Sequence, residues 1–168
     1  MNKPRISIIV AIDEKRGIAK NNDLLFRIKE DLQRLKAITI GHSLVMGRKT
    51  FQTFKKLLPD RTHIVITRDP EALRSAPVQP HFIVTSLEEG IEKAKTAPGA
   101  DEIFVFGGGQ IFKEAIEKDL VDRIYLTIVK GDYHADTFFP EYPEFTKVIE
   151  KEERESDGYQ YTFLTLEK

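Results

Sequence analysis

The chain contains no cysteine, which excludes disulfide bonds, thiolate nucleophiles and cysteine metal sites. Its four histidines are scattered, and no two have the His-x-x-x-His spacing that is common in zinc sites. The 26 Lys and Arg residues nearly balance the 27 Asp and Glu residues, which leaves a formal net charge of −1. Proteins that bind nucleic acids or membrane surfaces usually carry an excess of basic residues, so this balanced charge argues against either kind of partner. Any anion must therefore be bound by a local cluster of positive charge.

No stretch of the sequence approaches the roughly 20 apolar residues that a membrane-spanning helix needs. The N-terminus does imitate a signal peptide, because Lys3 and Arg5 precede an apolar run over residues 6–12. Ser7 interrupts that run, however, Asp13 ends it, and no convincing cleavage site follows. We therefore interpret the run as a buried strand and predict a cytoplasmic protein.

Short apolar runs rich in β-branched residues alternate with segments of helical periodicity, a pattern typical of α/β proteins. Their near-continuous apolarity predicts strands covered on both faces, as parallel strands are. The C-terminal segment instead indicates an antiparallel hairpin around the turn at residues 156–158. We predict one domain over residues 1–168, an α/β fold with a mixed, mostly parallel sheet of about eight strands and helices on both faces. The predicted strands are 6–12, 43–46, 63–67, 81–84, 103–106, 124–129, 145–155 and 159–166, and helical patterns occupy 28–38, 87–94 and 111–116.

Three consecutive glycines, Gly107, Gly108 and Gly109, follow one predicted strand and precede a helical pattern that opens at Gln110. Glycine lets the backbone approach a ligand, and a helix start offers unpaired N–H groups and a positive dipole end to phosphate. The run is not the dinucleotide-binding fingerprint, which needs glycine where Phe112 stands. A plain tight turn is the alternative, and we favour contact with a nucleotide or phosphate.

A second strand end, at Gly47, is followed by Arg48, Lys49 and Thr50 at a predicted helix start. The segment superficially resembles a P-loop, but it lacks the glycines of that motif and Arg48 interrupts the Gly-Lys-Thr run, so nucleotide hydrolysis is rejected. The cations and the hydroxyl suit a phosphate, because charge and unpaired amides act together there. Taken alone, surface cations with Thr50 as a capping residue would be the simpler interpretation.

Thr67 and Arg68 end a third predicted strand, at the edge of an α/β sheet where ligands bind. A hydroxyl beside an arginine suits a phosphomonoester such as an adenosine 2′-phosphate. Three anion-binding candidates at three strand ends suit a dinucleotide. The extra cation favours NADPH over NADH.

Asp31 lies early in the first predicted helix, between Ile28 and Leu32 and away from the polar face. Acids are common in a first helical turn and usually have no further role there. A carboxylate that faces inward nevertheless needs a partner, or its pKa moves. Asp31 is therefore a candidate functional acid, although an ordinary acid of a first helical turn explains its position equally well.

Taken together and in order, these segments resemble the bacterial dihydrofolate reductases from the first strand to the strand before the final hairpin. Each motif is short, but their joint order is specific. The motifs are residues 6–12 with Gly17-Ile18 and Asn22-Asp23-Leu24; Glu30-Asp31-Leu32; Val45-Met46-Gly47-Arg48-Lys49-Thr50-Phe51; Leu58-Pro59 with Arg61; Phe106-Gly107-Gly108-Gly109; Tyr125-Leu126-Thr127; and Asp136-Thr137 with Phe139-Pro140.

The resemblance implies the three-layer fold of that family and NADPH as the cofactor. It implies hydride transfer to C6 of 7,8-dihydrofolate with protonation of N5, which yields 5,6,7,8-tetrahydrofolate for one-carbon metabolism. It also implies a monomer that binds these two small molecules, with no metal, nucleic acid or membrane partner.

For the substrate, the resemblance implies that Asp31 hydrogen-bonds the 2-amino group and N3 of the pterin, supported by Thr127 through a water. Because Asp31 would lie away from N5, the proton would reach N5 through water. Arg61 matches the arginine that binds the α-carboxylate of the glutamate tail, a task that suits a fork of donors. The remaining substrate contacts would be made by Ile9, Val10, Leu32, Leu35, Phe54 and Leu58.

For the cofactor, the resemblance implies backbone contacts from Ala11 and Ile18 to the nicotinamide amide, and a mobile loop over residues 13–25 that closes above it. The glycine run would face the pyrophosphate, with its first Gly-Gly bond cis. Phosphate contacts would come from Arg48, Thr50, Thr67 and Arg68. The other predicted cofactor residues are Gly47, Lys49, Phe106, Gln110, Ile111 and Phe112.

The sequence departs from the commoner family pattern at several positions. Leu25-Phe26 stands where Pro-Trp is usual, so an indole N–H that would order a water near the pterin is missing. Ala19 replaces a loop glycine, Gln110 an arginine near the 2′-phosphate, and Phe112 a tyrosine by the nicotinamide. Two alternatives stay open: a reductase of the same fold that acts on a ribosylated pyrimidine, which would not use Asp31 with Arg61, and a non-catalytic nucleotide-binding module.

Overall fold

The computed structural model describes residues 3–168. Arg48–Gln52 forms a short helix directly after a strand, at the helix start predicted after Gly47. A 3-10 turn covers Pro70–Leu73. In chain order the elements are β1 (Arg5–Asp13), β2 (Gly17–Lys20), β3 (Asp23–Leu24), α1 (Lys29–Thr39), β4 (Ser43–Gly47), α2 (Arg48–Gln52), β5 (Thr62–Ile66), β6 (Phe82–Val84), α3 (Leu87–Ala94), β7 (Glu102–Gly107), α4 (Gly109–Glu117), β8 (Arg123–Val129), β9 (Thr137–Phe138), β10 (Lys147–Ser156) and β11 (Tyr159–Glu167).

The main sheet has eight strands in the order β10-β11-β8-β1-β7-β4-β5-β6. The six strands from β8 to β6 run parallel to their neighbours, whereas β11 pairs antiparallel with both β8 and β10. The predicted mixed, mostly parallel sheet with an antiparallel C-terminal hairpin is confirmed. The parallel order brings the carboxyl ends of β1, β4, β5, β7 and β8 to one edge, where ligands bind in α/β sheets.

Helices cover both faces of this sheet, as predicted. Leu87 and Ile91 of α3 and Phe112 of α4 pack in one apolar cluster with β1, β5 and β7. On the opposite face, Leu35 of α1 and Phe51 of α2 pack against another set of side chains from β4, β5 and β7. The α1 face carries the candidate substrate residues.

A second, three-stranded sheet in the order β3-β2-β9 takes two of its strands, β2 and β3, from the segment expected to be a loop. The loop prediction for residues 13–25 is therefore wrong in part, since β2 and β3 form a short hairpin there. Ala19 pairs with Leu24 on one side and with Thr137 on the other. Strands of four and two residues carry too little periodicity to be predicted from sequence.

The start of α1 is held by the C-terminal hairpin. Ile28, the N-cap residue, offers no side-chain cap, and the backbone N–H of Lys29 instead donates to the Asp157 carboxylate at 2.9 Å. Asp157 lies in the turn between β10 and β11, so the hairpin fixes the helix end that carries Asp31. Within residues 3–168, no helix combines the length and the apolar composition that a membrane span requires.

Candidate active site

Asp31 and Thr127 meet where the first turn of α1 faces the central strand β8. The Thr127 hydroxyl donates to Asp31 Oδ1 at 2.5 Å, with Thr127 fully enclosed and Asp31 partly buried. The contact is direct, whereas the resemblance implied an intervening water. Burial raises the pKa of the Asp31 carboxyl, and the bond from Thr127 and the positive charge of Arg34 lower it.

Ala11 lies beside this pair, because β1 and β8 place Ala11 in register with Thr127. Ile9, two residues earlier, belongs to the apolar cluster on the α1 face. The intervening Val10 packs in the cluster on the opposite face, as alternation along a strand requires. The side chain of Val10 therefore does not join those of the other candidate substrate residues.

The apolar candidates Leu35, Phe54 and Leu58 gather in the same cluster as Ile9, together with the candidate cofactor residue Phe106. The rings of Phe54 and Phe106 meet edge to face with centroids 6.2 Å apart. Leu32 stands apart from this cluster and is 47% exposed. The partly buried members form an apolar surface that would suit a ring, and Leu32 lies one helical turn before Leu35 on α1.

Arg61 is a buried arginine held by three hydrogen bonds within the chain. Its Nε donates to Thr39 Oγ1 at 2.9 Å, and its two terminal nitrogens donate to the carbonyls of Pro59 at 2.5 Å and Lys36 at 2.8 Å. Desolvation lowers the pKa of Arg61, with an opposing effect from Asp60. One N–H on each terminal nitrogen stays available, which suits a carboxylate ligand.

His63 is a residue of this region that sequence reasoning missed. Its Nε2 accepts the backbone N–H of Leu58 at 3.1 Å, so its proton lies on Nδ1, which is buried and has no hydrogen-bond partner among residues 3–168. The ring stacks on His81, with centroids 5.4 Å apart, and His81 Nδ1 accepts the backbone N–H of His63. His63 thus fixes the segment that leads through Leu58 and Pro59 to Arg61. A histidine at the head of each of two apolar strands was the available signal.

The protonation of His63 is expected to weaken the fold at mildly acidic pH. Burial, followed by the charge of His81, lowers the pKa of His63 from 6.5 to about 4. The unfolded chain therefore binds a proton that the folded chain rejects, and stability falls as the pH drops through that window. The loss attributable to this residue should reach about 2 kcal/mol between pH 7 and pH 5.

Urea denaturation of the native chain and of His63→Gln at both pH values measures this loss. Gln keeps an acceptor for the Leu58 N–H but does not titrate. Every other titrating group is common to the two proteins, so the difference between their pH-dependent losses isolates His63. An equal loss in both proteins would contradict the assignment.

The candidate cofactor residues from three elements converge at the carboxyl ends of β4 and β7. A Cβ added to Gly108 would lie 3.2 Å from Thr50 Oγ1, and one added to Gly47 would lie 3.4 Å from Ile111. Gly109 faces Ile18, whose Cδ1 would lie 3.8 Å from an added Cβ. The glycines therefore bring β4, β7 and the β2 segment to one place.

The glycine turn itself has the conformation that the resemblance implied. The Gly107-Gly108 bond is cis, and Gly107 has a φ of +111°, which favours glycine. Gly108 caps α4 without a side-chain hydrogen bond, and the ring of Phe112 packs beneath Gly107. The first amides of α4 are left for a ligand, with Gln110 exposed beside them.

The cations predicted to bind phosphate follow the carboxyl ends of β4 and β5. Lys49 and Arg68 are exposed, and Arg48 is partly buried, with its guanidinium 3.4 Å from Gln52 Oε1. The Thr67 hydroxyl is engaged in its own turn, accepting from the Asp69 N–H at 3.0 Å and lying 3.3 Å from the Asp69 carbonyl. A phosphate at Thr67 would have to displace the second of these contacts.

Phe26, at the position where tryptophan is usual, is buried in a separate aromatic cluster. Its ring meets Tyr133 edge to face at 4.9 Å and Tyr159 at 6.1 Å. The phenyl ring of Phe26 is buried against these aromatic rings, and it has no N–H group that could donate toward the carboxylate of Asp31. Ordered water near that carboxylate would have to use other donors.

Comparison with known proteins agrees with this arrangement. The family model described as dihydrofolate reductase matches residues 5–168. The dihydrofolate reductase of Bacillus subtilis is 36% identical over 167 residues, covering 97% of this chain and 94% of the relative. That of Staphylococcus aureus is 37% identical over 165 residues, covering 96% of each chain. This chain belongs to the dihydrofolate reductase family, whose enzymes use NADPH to reduce dihydrofolate to tetrahydrofolate.

Proposed function

We propose that Asp31, Thr127 and Arg61 bind and orient 7,8-dihydrofolate for reduction to 5,6,7,8-tetrahydrofolate, with hydride transfer to C6 and protonation of N5. The observation that carries the proposal is the Thr127–Asp31 bond at 2.5 Å. It fixes a partly buried carboxylate on the helix face that also carries the apolar surface. A carboxylate so held is a specific acceptor for the paired N–H groups of a pterin edge.

The carboxylate has a second consequence for the reaction. A negative charge of low solvent exposure favours a protonated pterin next to it. Thr127 turns one oxygen of Asp31 toward β8 by donating to it, which leaves the other oxygen for substrate. Asp31 thus acts through position and charge, and the proton reaches N5 through water. Positioning of this kind supplies a large share of a rate enhancement.

NADPH, when bound, supplies the hydride. The glycines Gly107 to Gly109 and the uncapped start of α4 fit its pyrophosphate, because backbone amides and a positive helix end face the same space. Arg48 and Lys49 after β4, and Arg68 after β5, supply positive charge at the same edge of the sheet, which suits the phosphates. Ala11 and Ile18 lie where their backbones would face the nicotinamide amide, beside Thr127 and Gly109.

Arg61 would bind the α-carboxylate of the substrate tail through its two remaining N–H donors. Ile9, Leu35, Phe54 and Leu58 would line the space between Asp31 and Arg61. Leu32 would close the edge of this apolar surface, and Val10 would contribute backbone only. We further propose a monomer in the cytoplasm that acts as one domain over residues 1–168.

An absorbance assay of NADPH oxidation tests the proposal. Turnover is expected with dihydrofolate and not with the ribosylated pyrimidine that the related reductases use. That pyrimidine has no tail carboxylate for Arg61 and no pterin edge for Asp31. A folded protein that binds NADPH but turns over neither compound would favour the nucleotide-binding module instead.

A further inference from the structure

Arg34 lies one helical turn after Asp31 and is held in place from the C-terminal hairpin. Residues three apart on a helix are neighbours, so the two side chains share one face of α1. Arg34 Nη2 lies 3.0 Å from Glu150 Oε1 and 3.3 Å from Thr165 Oγ1. The Arg34 side chain is 13% exposed, whereas that of Glu150 is 53% exposed. The guanidinium is therefore ordered and poorly screened by solvent.

The guanidinium also packs on an aromatic ring of β11, the strand next to the one that carries Thr127. Its central carbon lies 4.5 Å from the ring centroid of Phe163. Phe163 is the register partner of Thr127 in the β8–β11 ladder, and Thr127 donates to Asp31. An arginine over an aromatic face keeps its charge and loses orientational freedom. Arg34 therefore lies three residues from Asp31 on α1 and packs on the ring that is in register with Thr127.

The other charged groups around Asp31 have partners of their own. Glu30 on the same helix pairs with Arg154 of β10 at 3.4 Å, near Tyr161 of β11. On β8, the Tyr125 hydroxyl donates to Glu102 and accepts from Arg123. The cation whose charge acts on Asp31 is Arg34, and that charge lowers the pKa of Asp31 against the effect of burial.

We propose that Arg34 is a positioning residue for the catalytic carboxylate, an arginine clamped by Glu150 and Phe163 that holds a positive charge beside Asp31. This role rests on the proposed function of Asp31. It also sets the pH range of the enzyme. Reduction consumes a proton, so the rate declines at the pH where the Asp31–pterin site loses its proton. The charge around the carboxylate sets that pH.

The direct test is a carbon-13 NMR titration of aspartate carboxyls in the ligand-free protein. Asp31→Asn removes one resonance and so assigns Asp31. Arg34→Gln removes the positive charge and should raise the Asp31 midpoint by roughly one pH unit. Arg34→Lys keeps the charge and should restore the native midpoint to within about 0.3 unit. Arg34→Met, which keeps an apolar stem over Phe163, replaces the Gln variant if that variant does not fold.

Arg27→Gln is the matched control, since Arg27 precedes Asp31 by four residues and its side chain is 72% exposed in a pair with Asp23. It removes the same charge from a screened position and should leave the midpoint nearly unchanged. An Asp31 midpoint that is equal in the native, Arg34→Gln and Arg34→Met proteins would overturn the proposal.

A single-turnover measurement of hydride transfer against pH completes the test. The midpoint of the decline at high pH should move upward in Arg34→Gln and stay near native in Arg34→Lys. A protein that fails to reduce dihydrofolate at any pH refutes the proposed function, whereas turnover with an unmoved midpoint refutes only the role of Arg34.

Discussion

Replacing Asp31 with Asn is expected to slow hydride transfer at pH 7 by roughly 10²- to 10³-fold, the range for losing one group that stabilises charge in the transition state. The change would remove the charge and the acceptor through which we propose that Asp31 binds a protonated pterin. NADPH binding should be nearly intact, because the glycine turn belongs to β7 and α4. Stopped-flow measurement of the single-turnover rate and fluorescence titration with NADPH give the two quantities.

The same change should not weaken the fold. Burial raises the pKa of Asp31, so the folded state holds this proton more tightly than the unfolded chain does. Stability therefore falls as the pH rises through the interval between the unfolded and the folded pKa, and the charged form of Asp31 costs folding free energy above it. Asn carries no such cost and still accepts from Thr127. The variant should unfold in urea at pH 7 at the native midpoint or above it.

Thr127→Val is the matched comparison, because it removes the donor and keeps the carboxylate. It should slow hydride transfer less than Asp31→Asn does, and lower stability, since the buried carboxylate loses a partner. If Asp31→Asn lost NADPH affinity and urea resistance together with activity, Asp31 would be a structural residue.

The sequence predicts the local part of this architecture well. The parallel strands of the main sheet follow apolar runs, and α1, which carries Asp31, follows a 3.6-residue period. Both patterns can be read from residues that are neighbours in the sequence. The Gly107 turn is likewise local, because glycines between a strand and a helix have few other uses. Ordered motifs then relate these segments to one family.

What the sequence could not predict depends on contacts between distant segments. Arg34 has the spacing of an ordinary surface residue of a helix, and its role comes from Glu150 and Thr165, which lie 116 and 131 residues away in the chain. The direct Thr127–Asp31 bond depends on how closely α1 packs on β8, which no motif encodes. His63 begins an apolar strand, and only the folded backbone shows that its ring accepts the Leu58 N–H.

Replacing Arg61 with Leu is expected to raise the KM for dihydrofolate by roughly 10- to 100-fold with a small effect on kcat, because a lost charge-assisted contact costs about 1.5–3 kcal/mol. The proposed contact would lie at the tail, far from the reacting atoms, so it would contribute equally to the ground state and the transition state. The KM for NADPH should change little. Steady-state kinetics with each ligand varied in turn measure these constants.

Arg61 has a structural role as well, which the experiment must separate from binding. Its removal leaves Thr39 Oγ1 and the carbonyls of Lys36 and Pro59 without their donor. Thr39→Val breaks one of these bonds but keeps the guanidinium and its free N–H groups. It should lower the urea midpoint while raising the KM for dihydrofolate by less than about threefold, as expected for one neutral hydrogen bond acting indirectly.

A substrate analogue whose glutamate α-carboxylate is an amide gives the sharper comparison. For the native enzyme this analogue should have the raised KM that dihydrofolate has for Arg61→Leu, because each change removes one partner of the same pair. For Arg61→Leu, the amide and the carboxylate should then have nearly equal KM values. Such non-additivity identifies a direct contact. If the two changes instead multiplied their effects, the tail carboxylate would be bound elsewhere, and Arg61 would serve only to join α1 to the segment that His63 holds.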